Sequence, residues 1–201
     1  MYNVSNNYRV QIREPYAWRR ALRGTIGNVN FTHADVLSGS FSVSNSCSDK
    51  NEVKIGTVDM GILQAQFRNG LIPRGDWKDA VITVYDGLYI ETTHAYEWIP
   101  LGIFTVDEAK YDEKGVKITA YDNMKKFDRA WNISSTIGSP YSILKMICDD
   151  CRVQLGMTRA EIEALPNGYD PISLYSDNDC ETYRDTLYWL AQLLCCFATI
   201  G

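Results

Sequence analysis

The chain has 201 residues, of which 45% are hydrophobic and 22% are charged, a composition typical of a folded protein of one or two domains. Its 20 basic and 25 acidic residues give a net charge of −5, and no run of Lys or Arg exceeds two residues, which argues against nucleic acid and anionic membranes as partners. No stretch approaches the ~18 apolar residues of a membrane span, and the N-terminus lacks the apolar core of a signal peptide. We therefore expect synthesis and folding in the cytoplasm.

The first 20 residues are polar and contain a group of basic and aromatic side chains. Pro15 ends any helix that begins near Val4. We expect this segment to fold back as an arm on its own domain, with docking on a neighbouring protein as the alternative, because Trp and Arg are enriched in interface cores but are also common in ordinary packing. The candidate contact residues, which include one tryptophan from a later loop, are Tyr16, Trp18, Arg19, Arg20 and Trp77.

Strand patterns dominate the first half of the chain. Residues 20–32 and 36–48 are strand candidates, and the second has serine at every alternate position over most of its length. A third strand is predicted over residues 60–68, before an Asn-Gly turn. Residues 80–86 form a fourth, which runs into an Asp-Gly turn before the chain resumes over 88–91. A loop is predicted over the next six residues.

The clearest pattern is a hairpin. Residues 102–108 alternate between two faces, and residues 111–115 supply the polar side chains and the glycine of a turn. The return strand places Val116, Ile118 and Ala120 on one face. Short strands separated by turn residues favour an antiparallel barrel or sandwich over a parallel sheet. The first domain is therefore predicted to be all-β.

Helical signals begin after the hairpin. Ser139 and Pro140 supply a cap and a first-turn proline for a helix that stops at Gly156. A capping box at residues 158–161 opens a short helix, residues 167–181 are a predicted loop, and an amphipathic helix follows over residues 182–195. Residues 197–201 resemble the start of a strand. We predict an α+β fold, with an antiparallel β-barrel domain over residues 1–130 and a helical segment over 131–201 that begins a second, incomplete domain.

Residues 98–128 read WIPLGIFTVDEAKYDEKGVKITAYDNMKKFD. This segment resembles the N-terminal region of phage and prophage tail-tip or baseplate hub proteins. Residues 141–148 and 182–192 are similar to the two helical segments that follow the hairpin in such proteins, so the resemblance extends from about residue 23 to the end. Cys195 and Cys196 stand where small residues are more typical. The residues that carry the hairpin motif are Trp98, Pro100, Leu101, Gly102, Phe104, Asp107, Tyr121, Asp122 and Asp128.

The resemblance implies a virion structural protein, the hub that joins a tail tube to a central spike or fibre by symmetric self-association. The implied partners are tail tube, distal tail or spike proteins, the implied assembly is a homotrimer, and the implied location is the virion tail. The alternative is a carbohydrate-binding or peptidoglycan-degrading tail protein whose catalytic part lies beyond residue 201. Exposed Trp and Tyr side chains could stack on sugars in that case.

Cysteine is present at six positions, and a chain of this length has enough core to fold without disulfides, so free and mostly buried thiols are expected. Cys148 and Cys151 have the spacing of a zinc knuckle or a redox motif, but further zinc ligands would have to be Cys180 and Cys195 or Cys196. Positions three apart share a helix face and Cys is commonly buried, so core packing is the favoured interpretation. The sixth cysteine is Cys47.

Other candidate sites are weak. Residues 177–181 place oxygen ligands at alternate positions, as calcium loops do, but lack the glycine and the distant glutamate of an EF-hand, so a loop that leads into a helix is the simpler interpretation. His33 and His94 lie in separate loops without a metalloprotease or serine-hydrolase motif. We therefore expect no catalytic residue, metal or cofactor in this chain, and no enzyme activity.

Overall fold

The computed structural model describes residues 3–14, 19–45, 48–49, 52–133, 135–175 and 180–200. The chain divides into two compact units, each built from two segments. The first unit consists of Met1–Ser44 and Ile62–Asp122, and the second of Asn45–Gly61 and Asn123–Gly201. Residues 45–61, which the sequence analysis includes in the first domain, therefore belong with the helical part of the chain.

The described residues form four α-helices, eleven strands and three short 3-10 helices. The helices are α1 (Asn6–Gln11), α2 (Pro140–Asp150), α3 (Arg159–Glu163) and α4 (Tyr183–Leu193). The strands are β1 (Arg20–Ile26), β2 (Val29–Thr32), β3 (Ser42–Ser44), β4 (Ser48–Asp49), β5 (Glu52–Val53), β6 (Ile62–Arg68), β7 (Val81–Ile90), β8 (Ala95–Tyr111), β9 (Gly115–Tyr121), β10 (Ser135–Gly138) and β11 (Ile172–Tyr175). The 3-10 helices span His33–Asp35, Arg74–Asp76 and Asn123–Asp128.

Seven strands of the first unit form one antiparallel sheet in the order β2-β1-β7-β8-β9-β6-β3. The predicted α+β class and the predicted antiparallel pairing are confirmed, but the described strands form an open sheet and do not close into a barrel. Its two edge strands are only four and three residues long, and the segment after β2 lies along β6 instead of forming a further strand. Val36 bridges Phe67, and the Leu37 amide donates to the Gln66 carbonyl at 2.8 Å.

Apolar side chains on one face of the sheet form the core of the first unit. On β6 the buried residues are Leu63, Ala65 and Phe67, and on β9 the predicted alternation is confirmed. Burial of such side chains, at about 1.5–3 kcal/mol each, is the main favourable term in folding. The buried cluster comprises Ile26, Phe31, Val36, Leu63, Ala65, Phe67, Trp77, Ile82, Val84, Phe104, Val106, Val116, Ile118 and Ala120.

The serine-rich stretch is mostly not a strand. Among the described residues of the predicted strand 36–48, Ser42–Ser44 forms strand β3 against β6 and Val36 makes a single bridge to Phe67, while Cys47 lies outside the described residues. Ser40 turns the chain instead, because its amide donates to the Leu37 carbonyl at 3.1 Å and Gly39 has a φ of 75°. Hydroxyl groups of serine compete for backbone partners in this way and favour turns.

The predicted turn at Asp86 and Gly87 is also absent. Strand β7 runs without interruption from Val81 to Ile90 and pairs with both β1 and β8. The chain turns after Ile90 instead, and β8 begins at Ala95, so the predicted loop before the hairpin is shorter than expected.

The predicted β8–β9 hairpin is confirmed. The carboxylate of Asp112 accepts hydrogen bonds from the amides of Lys114 and Gly115 at 2.8 and 2.9 Å. These bonds, with that from Gly115 the stronger influence, hold the pKa of Asp112 below its usual value. The turn is therefore fixed by one side chain that satisfies two backbone donors, as Asp does in many loops.

The three predicted helices of the second unit are confirmed and begin within one residue of their predicted starts, although α2 ends at Asp150, before the predicted stop at Gly156. Ser139 caps α2, which has Pro140 in its first turn, and Thr158 and Thr182 form capping boxes at the starts of α3 and α4. Part of the predicted loop 167–181 is strand β11, which pairs with β10. The described part of the final segment makes a single bridge, between Ala198 and Val58, and no strand.

Candidate functional site

A group of aromatic and arginine side chains lies on the outer face of strands β1, β7 and β8. Residues two apart on a strand share a face, as do residues directly opposite on paired antiparallel strands. The strand register pairs Arg23 with Tyr85, Gly87 with Trp98, and Tyr89 with Tyr96. We name this group the aromatic–arginine surface, and its members are Arg19, Arg23, Tyr85, Tyr89, Tyr96 and Trp98.

Trp98 lies flat across strand β7 because Gly87 has no side chain. A Cβ atom on Gly87 would be 2.7 Å from Cζ3 of the indole, so any larger residue would displace the ring. The guanidinium carbon of Arg23 lies 4.2 Å from the centroid of the indole ring. Glycine and guanidinium both lie against the ring, which limits its use as a platform for a sugar.

The remaining members of the surface contact one another in a continuous row. The ring centroids of Tyr89 and Tyr96 are 5.3 Å apart, and those of Tyr96 and Trp98 are 5.5 Å apart. Arg19 lies 5.4 Å from the ring centroid of Tyr89, and Arg23 lies 5.5 Å from that of Tyr85. Such ring and cation–π contacts contribute about 0.5–1 kcal/mol each at exposed sites. The row is thus a preformed surface.

The two arginines carry positive charge that the described residues neutralise only slightly. Arg19 is 69% exposed at its side chain, and its ion pair with Glu91 is long, at 3.9 Å. The described residues place no carboxylate within ion-pair distance of Arg23. Val81 and Ile103, which are 48% and 53% exposed, extend the same face. Aromatic residues and Arg in one patch are typical of protein interfaces.

The five predicted contact residues have four different outcomes in the structure. Tyr16 and Trp18 lie outside the described residues, and Arg19 belongs to the aromatic–arginine surface. Arg20 donates a hydrogen bond to Asp86 at 2.6 Å and is not a member of the surface. Trp77 is only 1% exposed and lies in the core against Phe67, so its prediction as a contact residue is wrong.

Sequence reasoning missed most of the surface. Arg23, Tyr85, Tyr89 and Tyr96 were not singled out, and Trp98 was named only as a motif residue. The available signal was the spacing of these residues within their strands, since Tyr85 and Tyr89 are four apart and Tyr96 and Trp98 are two apart. What the sequence did not provide was the register that brings three strands together.

Several hairpin motif residues have structural roles. Phe104 is in the core, and Leu101 packs against the core. Gly102 has a φ of 140°, which favours glycine. Asp107 lies at a register shift between β8 and β9, a β-bulge. Asp128, in the second unit, forms ion pairs with Lys125 at 3.2 Å and Arg184 at 2.8 Å.

Cys148 and Cys151 pack into the core of the second unit, as the favoured interpretation predicts. Both thiols are free and buried. Burial raises the pKa of Cys148 from its usual 9.0 to about 11, with the nearby Cys151 and Asp149 adding to the effect. Burial also raises the pKa of Cys151. Both thiols therefore stay protonated at neutral pH, so neither is an activated nucleophile.

This burial predicts selective thiol labelling. With iodoacetamide at pH 8, we expect the exposed Cys195 to react before the buried Cys148, and Cys148 to react about 100-fold more slowly than an ordinary thiol, because a pKa raised from 9.0 to about 11 lowers the thiolate fraction by about that factor. Peptide mass mapping after timed labelling measures both rates. Labelling in urea is the control and should make them similar, while equal rates in the native protein would contradict the prediction.

In the described part of the chain, no three His, Cys, Asp or Glu side chains come together as metal ligands. Residues 177–179 of the weak calcium pattern lie outside the described residues. The helices that the structure describes include none with the length and apolar character needed to span a membrane.

Comparisons with known proteins identify the fold. No protein-family model matches the chain, and no curated protein is similar to it. Among solved structures, the 43 kDa tail protein of prophage MuSo2 from Shewanella oneidensis has a TM-score of 0.53 and 11% sequence identity, over 88% of this chain and 51% of that chain. A chain from the virion of a native gene transfer agent particle has a TM-score of 0.40 and 13% identity, over 64% of this chain and 48% of that one.

The present chain thus shares the fold of a prophage tail protein. It spans about half the length of the proteins that it matches.

Proposed function

We propose that this protein is a structural component of a phage or prophage tail and acts in the virion. The observation that carries the proposal is the fold it shares with the MuSo2 tail protein, which extends over 88% of the chain and includes parts of both units. The hairpin motif at residues 98–128, with its resemblance to hub proteins, supports the same role. The role is structural, with no chemistry performed by these residues.

Within the tail, the protein is the hub of the baseplate or tail tip, and copies associate symmetrically as a homotrimer. Its partners are other tail proteins, of the tube and of the distal tail or spike. In a closed ring, one surface of each copy binds a different surface of the next copy. Such contacts close into a ring when the rotation that relates neighbouring copies is a whole fraction of a full turn. The aromatic–arginine surface is the strongest candidate for one of these two surfaces.

The sheet supports this role through rigidity. A surface that must fit a partner loses less entropy on binding when its side chains are already ordered. Trp98 is fixed between Gly87 and Arg23, and the strands that carry it are paired on a closely packed core that includes Val84 and Phe104. The mechanism is thus geometric, with a stiff sheet that presents a preformed contact surface.

The proposal predicts the native mass of the full-length protein. We expect a trimer by light scattering after size exclusion, because a hub must close around the tail axis. Negative-stain microscopy of the same fraction should show rings. A stable monomer at micromolar concentration would contradict the hub role.

A second candidate, sugar binding, is favoured by one observation. Trp189 on α4 is 50% exposed, with the ring of Tyr188 6.0 Å away. An exposed tryptophan ring can stack on a sugar. Titration of the full-length protein with soluble peptidoglycan fragments distinguishes the two candidates, since quenching of tryptophan fluorescence that is lost in Trp189→Ala would favour sugar binding and an unchanged spectrum would count against it.

A further inference from the structure

We propose that the aromatic–arginine surface of one copy binds the acidic second unit of another copy. This inference rests on the proposed self-association and specifies which surfaces meet. It follows from three features, namely the unneutralised charge of the surface, the distribution of charged residues between the two units, and the ordered guanidinium group of Arg23.

Charge is divided unequally between the two units. The second unit contains 13 Asp and Glu against nine Lys and Arg, a net charge of −4, whereas the first contains 12 against 11, a net charge of −1. Arg19 and Arg23 therefore form a local positive patch on a nearly neutral unit. Opposite potentials on two contact surfaces speed encounter and select the correct partner, so the acidic unit is the better match for this patch.

The second unit also exposes suitable groups. Asp170 and Glu181 are exposed, and no described cation lies within ion-pair distance of either carboxylate. Tyr169, next to Asp170, is 72% exposed. A carboxylate beside an exposed aromatic ring has the chemistry that a surface of arginine and aromatic rings recognises, through charge-assisted hydrogen bonds and ring contacts.

Arg23 is ordered in advance for such a contact. Its guanidinium group stacks on Trp98 and lies near Tyr85, and no hydrogen bond to a described residue uses its N–H donors. Arginine binds a carboxylate through two parallel N–H donors, and stacking on an aromatic ring leaves those donors free at the edge of the guanidinium plane. A carboxylate of the other copy therefore meets two N–H donors of Arg23 that are already held in place.

Strand addition at the neighbouring edge of β8 is a less suitable mode of contact. Over residues 95–104, β8 pairs with β7 on one side only among the described strands. Pro100 has no amide hydrogen to donate to an added strand, and Gly102 has a φ of 140°, which departs from extended backbone. Side chains on the face, and not the backbone of the edge, provide the contact.

The first test is charge reversal in the full-length protein. We expect Arg23→Glu to raise the dissociation constant for self-association by about 10-fold or more in analytical ultracentrifugation, because it replaces attraction to a carboxylate by repulsion. The matched control is Lys117→Glu, which makes the same charge change at an exposed position of β9 outside the surface, and should change the constant by less than about 3-fold. Circular dichroism and thermal unfolding establish that both variants fold.

The second test identifies the occupant of the surface. A photoreactive benzoylphenylalanine at position 96 is introduced into 15N-labelled protein, which is mixed with unlabelled protein, exchanged and irradiated. Mass spectrometry then separates crosslinks between copies from those within one copy. We expect peptides from residues 45–61 or 123–201 of the other copy.

The outcomes separate this inference from the proposed function. Two results would overturn the assignment of the surface and leave the hub role intact. One is a trimer that is as stable in Arg23→Glu as in Lys117→Glu, and the other is crosslinks confined to the first unit of the other copy. A wild-type protein that is monomeric at micromolar concentration would overturn both.

Discussion

Replacement of Gly115 by alanine is expected to destabilise the first unit by about 3 kcal/mol, a large loss for a fold whose total stability is on the order of 10 kcal/mol. A Cβ atom at this position would overlap the carbonyl oxygen of Phe67 and lie 2.9 Å from its carbonyl carbon. These are backbone atoms of β6, which pairs with β9 along its full length from Ile62 to Arg68. The neighbour cannot move aside without breaking that pairing.

The matched control is Gly75→Ala in the same unit. No atom lies within 4 Å of a Cβ built on Gly75, so its stability should change by less than about 1 kcal/mol. Urea unfolding followed by circular dichroism gives both free energies of unfolding. Similar urea midpoints of unfolding for Gly115→Ala and Gly75→Ala would show that the backbone of β6 shifts to make room for the added Cβ atom. That result would contradict the predicted loss of stability.

The elements that the sequence predicted well are those fixed by local chemistry. The turn before Gly115 follows from Asp112 and its two amide donors, which lie within three residues. The start of α4 follows from Thr182 and Asp185, a capping box three residues apart. Alternation along β9 follows from a single run of seven residues. In each case the cause and the effect are close in the chain.

The wrong predictions depend on contacts distant in the chain. Asp86 and Gly87 form an Asp-Gly pair, which is typical of a turn. Glycine is needed at position 87 for another reason, because the ring of Trp98, eleven residues later, lies against it. A barrel or sandwich was predicted from short strands separated by turn residues, a pattern that does not say whether the sheet closes. Whether two edges meet depends on the order of the strands and on contacts such as the bridge between Val36 and Phe67, and neither is visible in a local pattern.

The same distinction explains the candidate surface. Arg19 was found because it stands in a basic and aromatic run, whereas Arg23 and Tyr85 meet through the pairing of β1 with β7, 62 residues apart. Trp77 was misjudged because it stands in a polar stretch, as an exposed residue would. Its ring in fact fills the core beside Phe67, at a centroid distance of 5.3 Å. A surface assembled from three strands can be predicted only when the register between the strands is known, and that register is a property of the whole sheet.

Truncation of Phe67 to alanine is expected to cost about 3–5 kcal/mol, the usual range for a buried phenylalanine. Its side chain is fully buried, and its ring contacts Phe31 edge to face at 5.0 Å and Trp77 at 5.3 Å. The ring thus joins β2, β6 and the segment before β7, so the cavity left by its removal has rigid walls on three sides. Urea unfolding of the full-length protein, followed by circular dichroism, measures the loss.

Val29→Ala is the matched control, because Val29 on β2 is 37% exposed and its truncation should cost less than about 1 kcal/mol. A loss below about 1 kcal/mol in Phe67→Ala would contradict the assignment of this ring to the centre of the core. The comparison with Arg23→Glu is also informative, since that variant should lose self-association with little loss of stability. Because the core and the aromatic–arginine surface lie on opposite faces of β7, the two variants separate the stability of the sheet from the binding that the sheet supports.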